Sequence, residues 1–248
     1  MLNTRILLIL LSTCLLSSCK SHKSDEDIIL PAVGIYENAL QRLENGKYKK
    51  AAEEFANVYY QHPGSKITPF AELMEAYSYY LAKESEDCMD VLDNFIKLHP
   101  VHEDIAYAYY LRAMAAFSQM SDIYYDQSKT LDAQETLKNV IDKFPGTEYA
   151  SDAANKLEIA KDYLAAKNME IGKYYITAKN NPVAAIGRFK EIIKSDTEHA
   201  PEAFYRLYES FLAIGLQDEA YQYAQQLISK YPNNEWSLKV EKKLKTQF

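Results

Sequence analysis

The chain has 248 residues, 48% of them hydrophobic, and a net charge of −7, so it can build a core but lacks the positive charge for bulk binding to a phosphate backbone. Seven glycines and eight prolines are too few for the many tight turns of an all-β fold, whereas 21 tyrosines favour helices packed through rings that keep one polar atom near water. No apolar run of 18 residues follows the N-terminal segment, so no transmembrane helix is expected after it.

Residues 1–18 read as a signal peptide, with Arg5 as a short positive region and Ile6 to Leu16 as the apolar stretch. The Leu16-Ser17-Ser18-Cys19 sequence resembles a bacterial lipobox. That resemblance implies cleavage before Cys19, a diacylglyceryl group on its thiol and acylation of the new amino group. One acyl chain holds a membrane only marginally, and two or three hold it durably. Lys20 stands where an Asp would retain many lipoproteins in the inner membrane, so the implied destination is the outer membrane, facing the periplasm. Residues 19–30 are mostly polar and read as a lipidated flexible tether; the eleven residues after the Cys span at most about 35–40 Å. With Cys14 removed and Cys19 lipidated, Cys88 is the single thiol left and no intrachain disulfide is expected.

Beyond the tether the prolines carry a repeat. Pro63, Pro100, Pro145 and Pro232 each follow an apolar helical run, and twelve residues before each stands a small residue: Ala51, Cys88, Ala133 and Ala220. Four residues after these come Phe55, Leu92, Leu137 and Ala224. A further copy has Ala185 and Phe189, with Thr197 in the Pro position. A small residue lets two helices approach closely, the residue one turn later fills the adjacent hole, and Pro stops the helix. Gly46 and Gly215, five residues before their small residues, mark turns between paired helices. The unit of two antiparallel helices resembles the tetratricopeptide repeat.

The predicted helices are 32–45, 48–61, 67–84, 86–98, 103–122, 129–144, 147–178, 182–195, 199–214, 217–230 and 234–246. Pro31 suits a helix start, Thr147 can cap the long helix, and Gly172 is expected to bend it. The expected fold is all-α: a solenoid over 31–248 of about five helix hairpins with a C-terminal helix. Its N-terminal repeats cover about 32–145 and its C-terminal repeats about 147–248. Cys88, in a small buried position, reads as a packing thiol.

No catalytic constellation is evident. His99 and His102 flank Pro100 with H-x-x-H spacing but fall on a turn without Cys or paired carboxylates, so they read as turn histidines. H-E-x-x-H, G-x-S-x-G and phosphate-loop motifs do not occur in the sequence. No enzyme activity, cofactor or metal site is therefore expected. The tyrosine pairs 59–60, 79–80, 109–110, 124–125 and 174–175 are distinctive; most of their rings are assigned to inter-helix packing and the rest to a groove for an extended peptide.

Longer stretches carry a more specific resemblance. They are His62-Pro63-Gly64-Ser65, Ala76-Tyr77-Ser78-Tyr79-Tyr80, Asp93 to Pro100, Tyr107, Tyr110-Leu111-Arg112 and Asp126. Further on come Phe144 to Tyr149 with Asp152-Ala153, Tyr174-Tyr175, Val183 to Arg188 and Leu212 to Ala220. In this order, over roughly residues 35–232, they resemble the BamD family of outer-membrane assembly lipoproteins. Two departures are Ala113, where the family commonly has Gly, and Gln127, where an Arg often follows the loop Asp. The resemblance implies a non-enzymatic scaffold of the β-barrel assembly complex. Its implied partners are the POTRA region of BamA, other lipoproteins of the complex and unfolded outer-membrane proteins. Arg188 matches the family's Arg that pairs with an acidic POTRA residue. The alternative is another periplasmic repeat lipoprotein, such as a secretin pilotin or a peptidoglycan- or division-linked adaptor; these usually lack the long helix predicted at 147–178.

Overall fold

The computed structural model describes residues 30–246, and Cys19 with the signal peptide lies outside that range. Within it the chain forms α1 (Ala32–Glu44), α2 (Tyr48–Gln61), α3 (Thr68–Ala82), α4 (Ser85–Leu98), α5 (Ile105–Ser118) and α6 (Ser128–Lys143). These are followed by α7 (Glu148–Thr177), α8 (Pro182–Ile192), α9 (Ala200–Ala213), α10 (Gln217–Lys230) and α11 (Glu235–Thr246). No strand occurs among the described residues.

The repeat signals act through local backbone chemistry. Helices α2, α4, α6 and α10 each end two residues before their proline. The residues between, His62, His99, Phe144 and Tyr231, have φ of −138°, −125°, −127° and −127°. The proline ring disfavours the helical conformation in the residue before it, so all four helices stop alike. At the other turn of the hairpin, Gly46 and Gly215 have φ of +71° and +81°. Lys83 and Asn180, also five residues before their small residue, take the same left-handed conformation at +62° and +47°. The Lys47, Glu84 and Leu216 amides close the ends of α1, α3 and α9 onto the carbonyls of Arg42, Tyr79 and Phe211, the six-to-one bond of a Schellman turn.

Packing follows the predicted register. Ala51, Cys88, Ala133, Ala185 and Ala220 are fully buried, and so are Phe55, Leu92, Leu137, Phe189 and Ala224 one turn on. Every helix packs on its sequence neighbours, and α1, α3, α5, α7, α9 and α11 additionally touch one another in series. The even-numbered helices meet only those adjacent in sequence. Apolar clusters step along the chain accordingly: one joins α1, α2 and α3 around Phe55, a second α3, α4 and α5 around Phe95. A third joins α5, α6 and α7 around Leu137, and the largest joins α7 to α11 around Phe189 and Tyr208. Full burial of each such Phe or Leu contributes about 1.5–3 kcal/mol, so the hairpins hold chiefly by nearest-neighbour burial. This is a tetratricopeptide-type solenoid of five hairpins and a terminal helix.

The predicted end of one helix needs correction. Helix α5 ends at Ser118, four residues before its predicted end. The Ser118 hydroxyl donates to the Ala115 carbonyl (2.7 Å), and Asp122 and Asp126 accept the backbone N–H groups of Tyr124 and Ser128 (3.0 and 2.9 Å). Those side chains offer the backbone a turn in place of a further helical bond. Gly172, for its part, marks a close approach: a Cβ there would meet three atoms of the Phe189 ring, all closer than 3.0 Å. Thr147 does cap α7, its hydroxyl accepting from the Ala150 N–H at 3.1 Å.

Candidate functional site

Two grooves present side chains suited to binding. The first, of about 740 Å³, lies among the α5–α6 connection, α6, α7 and α8. Tyr124 and Tyr125 stand 74% and 70% exposed at one edge, held by the Asp122 and Asp126 turns and by Gln127, whose amide donates to the Asp122 and Tyr125 carbonyls. Arg188 lies opposite on α8, exposed, because Ala185 and Phe189 on the same helix face the core. Its Nη1 donates to Asn168 Oδ1 of α7 at 3.4 Å, and no carboxylate pairs with it among the described residues. Lys161 and Lys194 also line the groove but are engaged by Glu158 and Glu191 at 2.8 and 2.6 Å. Lys167 lies near enough to Asp126 to help hold that carboxyl below its usual range, after the Ser128 hydrogen bonds. The groove therefore combines exposed phenols with an unneutralised guanidinium, a suitable receptor for an acidic, partly apolar segment.

The second groove, of about 320 Å³, lies between α2, α3 and α4. Tyr59 and Tyr60 of α2 and Leu98 of α4 form its apolar rim, and Glu72 and Glu75 of α3 its acidic floor. Glu72 bonds His99 Nε2 at 2.8 Å. Glu75 has no cationic partner among the described residues; burial, then the neighbouring Glu72, pushes its carboxyl up to about 7. Sequence reasoning passed over Glu75. The available signal was an acidic residue on a helix otherwise dominated by apolar and aromatic side chains, TPFAELMEAYSYYLA.

Of the ten paired tyrosines, five (Tyr59, Tyr60, Tyr124, Tyr125 and Tyr174) are exposed, so fewer rings serve packing than the sequence suggested. Residues of the family-like stretches tie neighbouring helices together instead of lining a reaction centre. Tyr110 donates to Asp152 of α7 at 2.7 Å, and Arg112 donates through Nε and Nη2 to Asp93 of α4. The Asp152 carboxyl is held low by Lys156 and by that phenol. His99 packs tilted and His102 edge-on against Phe95, with His102 Nδ1 accepting the Asp104 N–H. Cys88 is buried against α3 and α5, and burial pushes its thiol up to about 12.

Residues 30–223 match the family model YfiO, described as outer membrane lipoprotein. The outer membrane protein assembly factor BamD of Rickettsia prowazekii is 47% identical over 223 residues, covering 89% of this chain and 88% of its own length. The protein of the same name from Caulobacter vibrioides is 36% identical, covering 83% of this chain and 68% of its own length. Among solved structures, the TPR2AB domain of yeast Sti1 in its pHSP90 complex superposes with a TM-score of 0.42 at 15% identity, covering 83% of this chain and 80% of that one.

Proposed function

The chain belongs to the BamD family of outer membrane lipoproteins, and from that premise we propose that it is a periplasm-facing scaffold of the β-barrel assembly complex, anchored to the outer membrane through lipid on Cys19. It works by binding, without covalent chemistry and without a cofactor. The C-terminal hairpins dock on the POTRA region of BamA, with Arg188 meeting an acidic side chain there. Other lipoproteins of the complex take neighbouring faces of the rod. The groove between α2, α3 and α4 receives unfolded outer-membrane proteins: its tyrosines stack on aromatic side chains, and Glu72 and Glu75 accept N–H groups of an extended segment.

The observation that carries the docking assignment is Arg188, exposed and without a carboxylate partner among the described residues, in one groove with two exposed tyrosines. Arg and Tyr are the side chains that most often dominate interface energetics. Co-purification from detergent-solubilised outer membrane tests the proposal. Recovery of a BamA-type barrel protein in stoichiometric amount is expected. Recovery of the lipoprotein without any such barrel, under conditions that keep the rest of the assembly complex intact, contradicts it.

A further inference from the structure

Away from both grooves, α7 and the connection into α9 bring together a set of donors that the binding function does not use. Asp162 lies near the middle of α7, while Glu198 and His199 immediately precede α9. One donor atom from each of the three lies within 4.8 Å of the other two. His199 Nε2 is 3.6 Å from Asp162 Oδ2 and 3.9 Å from Glu198 Oε1. Ligand atoms about 2.0–2.2 Å from a tetrahedral zinc ion sit roughly 3.3–3.6 Å apart, so closing on a metal requires only small side-chain movements.

The surroundings also fit a cation. A cavity of about 360 Å³ beside the cluster is lined by Glu158, Asp162, Asp196, Thr197 and Glu198 together with Ile159 and Tyr163. Lys161 is taken by Glu158, and no Lys or Arg pairs with Asp162, Asp196 or Glu198 among the described residues. Thr197 lines the same cavity, is only 8% exposed, and its hydroxyl has no hydrogen-bond partner. A buried hydroxyl is seldom left unpaired. The Thr197 oxygen is closed to solvent, so a rotation of this side chain toward the cavity is what brings it to a water on a metal ion there.

We propose that Asp162, Glu198 and His199 bind a divalent transition-metal ion, with zinc the best match to one imidazole and two carboxylates, which pins the middle of α7 to the α8–α9 connection. Water completes the coordination, as expected at a site open on one side. The ion stabilises the C-terminal hairpins by linkage, because the three donors converge only in the folded chain.

The test uses the full chain without an affinity tag, purified in detergent, stripped with chelator and titrated with zinc against a chromogenic competitor, alongside thermal melting. One zinc per chain and a rise in Tm are expected. His199→Ala, Asp162→Asn and Glu198→Gln each abolish both responses, Thr197→Val weakens zinc binding about tenfold, and His102→Ala changes nothing. Glu198 is 78% exposed at its side chain, so Glu198→Gln keeps the test decisive even where another variant fails to fold. Absence of zinc binding by the parent chain, or zinc binding that survives Glu198→Gln and His199→Ala, overturns the proposal and leaves the cluster an ordinary ion pair.

Discussion

Gly172→Ala probes the seat of α8, the helix that carries Arg188. In a solvent-exposed helix interior this change stabilises by about 0.8–1.0 kcal/mol, because alanine loses less backbone entropy than glycine. Here the new Cβ would fall inside 3.0 Å of three atoms of Phe189, whose ring is fully buried and hemmed in by the largest apolar cluster. Overpacking of that kind costs about 1–3 kcal/mol, so it offsets or exceeds the propensity gain and the net change is a loss of about 0–2 kcal/mol. Phe189→Leu removes two of the three obstructing atoms. In that background Gly172→Ala should recover its helix-propensity gain. Urea denaturation of the parent, both single variants and the double variant closes the cycle, with an expected coupling of about 1–3 kcal/mol. If Gly172→Ala raises the midpoint equally with and without Phe189, the close-approach explanation is wrong and Gly172 serves another purpose.

Glu75→Gln should stabilise the protein at pH 8 by about 1–3 kcal/mol, since burial and Glu72 raise the folded carboxyl from 4.5 to about 7. The folded chain holds that proton more tightly than the unfolded chain, so the carboxylate's penalty grows as pH rises from about 4.5 to 7 and is fully present above. The variant's advantage in chemical denaturation should accordingly vanish below about pH 4.5; an advantage independent of pH would contradict the assignment. Cys88 should resist a thiol reagent at pH 8 in the native chain and react promptly in denaturant, because it is buried with its thiol pushed up to about 12; rapid native labelling would show otherwise. Ala133→Trp should overpack α6 against its neighbours and cost about 1–3 kcal/mol or more; an unchanged denaturation midpoint would mean that the hairpin register is misassigned.

The parts of the fold readable from sequence are those that local chemistry dictates. A proline in the chain's path disfavours helix in the residue before it, and a small residue one turn from a large one marks close packing, so the hairpins and most helix limits follow from spacing. Lys83 and Asn180 were hidden because their left-handed backbone is imposed by the turn and is usually signalled by glycine. The end of α5 was misjudged because the Met120 region has helical composition, while the Ser118, Asp122 and Asp126 side chains take over its backbone bonds. Arg188 was singled out through family-like residues around it, but the groove it lines was not, since Tyr124, Asn168 and Arg188 come from three separate elements. Asp162 with Glu198 and His199 was invisible for the same reason: 35 residues, the rest of α7, α8 and their connections, separate Asp162 from Glu198, and only the tertiary fold brings these donors together.

The claim at the centre of the account is that exposed charge on the C-terminal hairpins does the docking and is not what holds the fold. It is tested most directly by titrating purified BamA POTRA region into the parent chain and into Arg188→Glu, with circular dichroism and melting recorded on the same samples. The account predicts a loss of affinity worth about 1–3 kcal/mol, from a chain whose helicity is unaltered and whose stability changes by less than about 0.5 kcal/mol. Equal affinity in the two proteins would contradict it, and so would weakened binding that tracks a loss of helix.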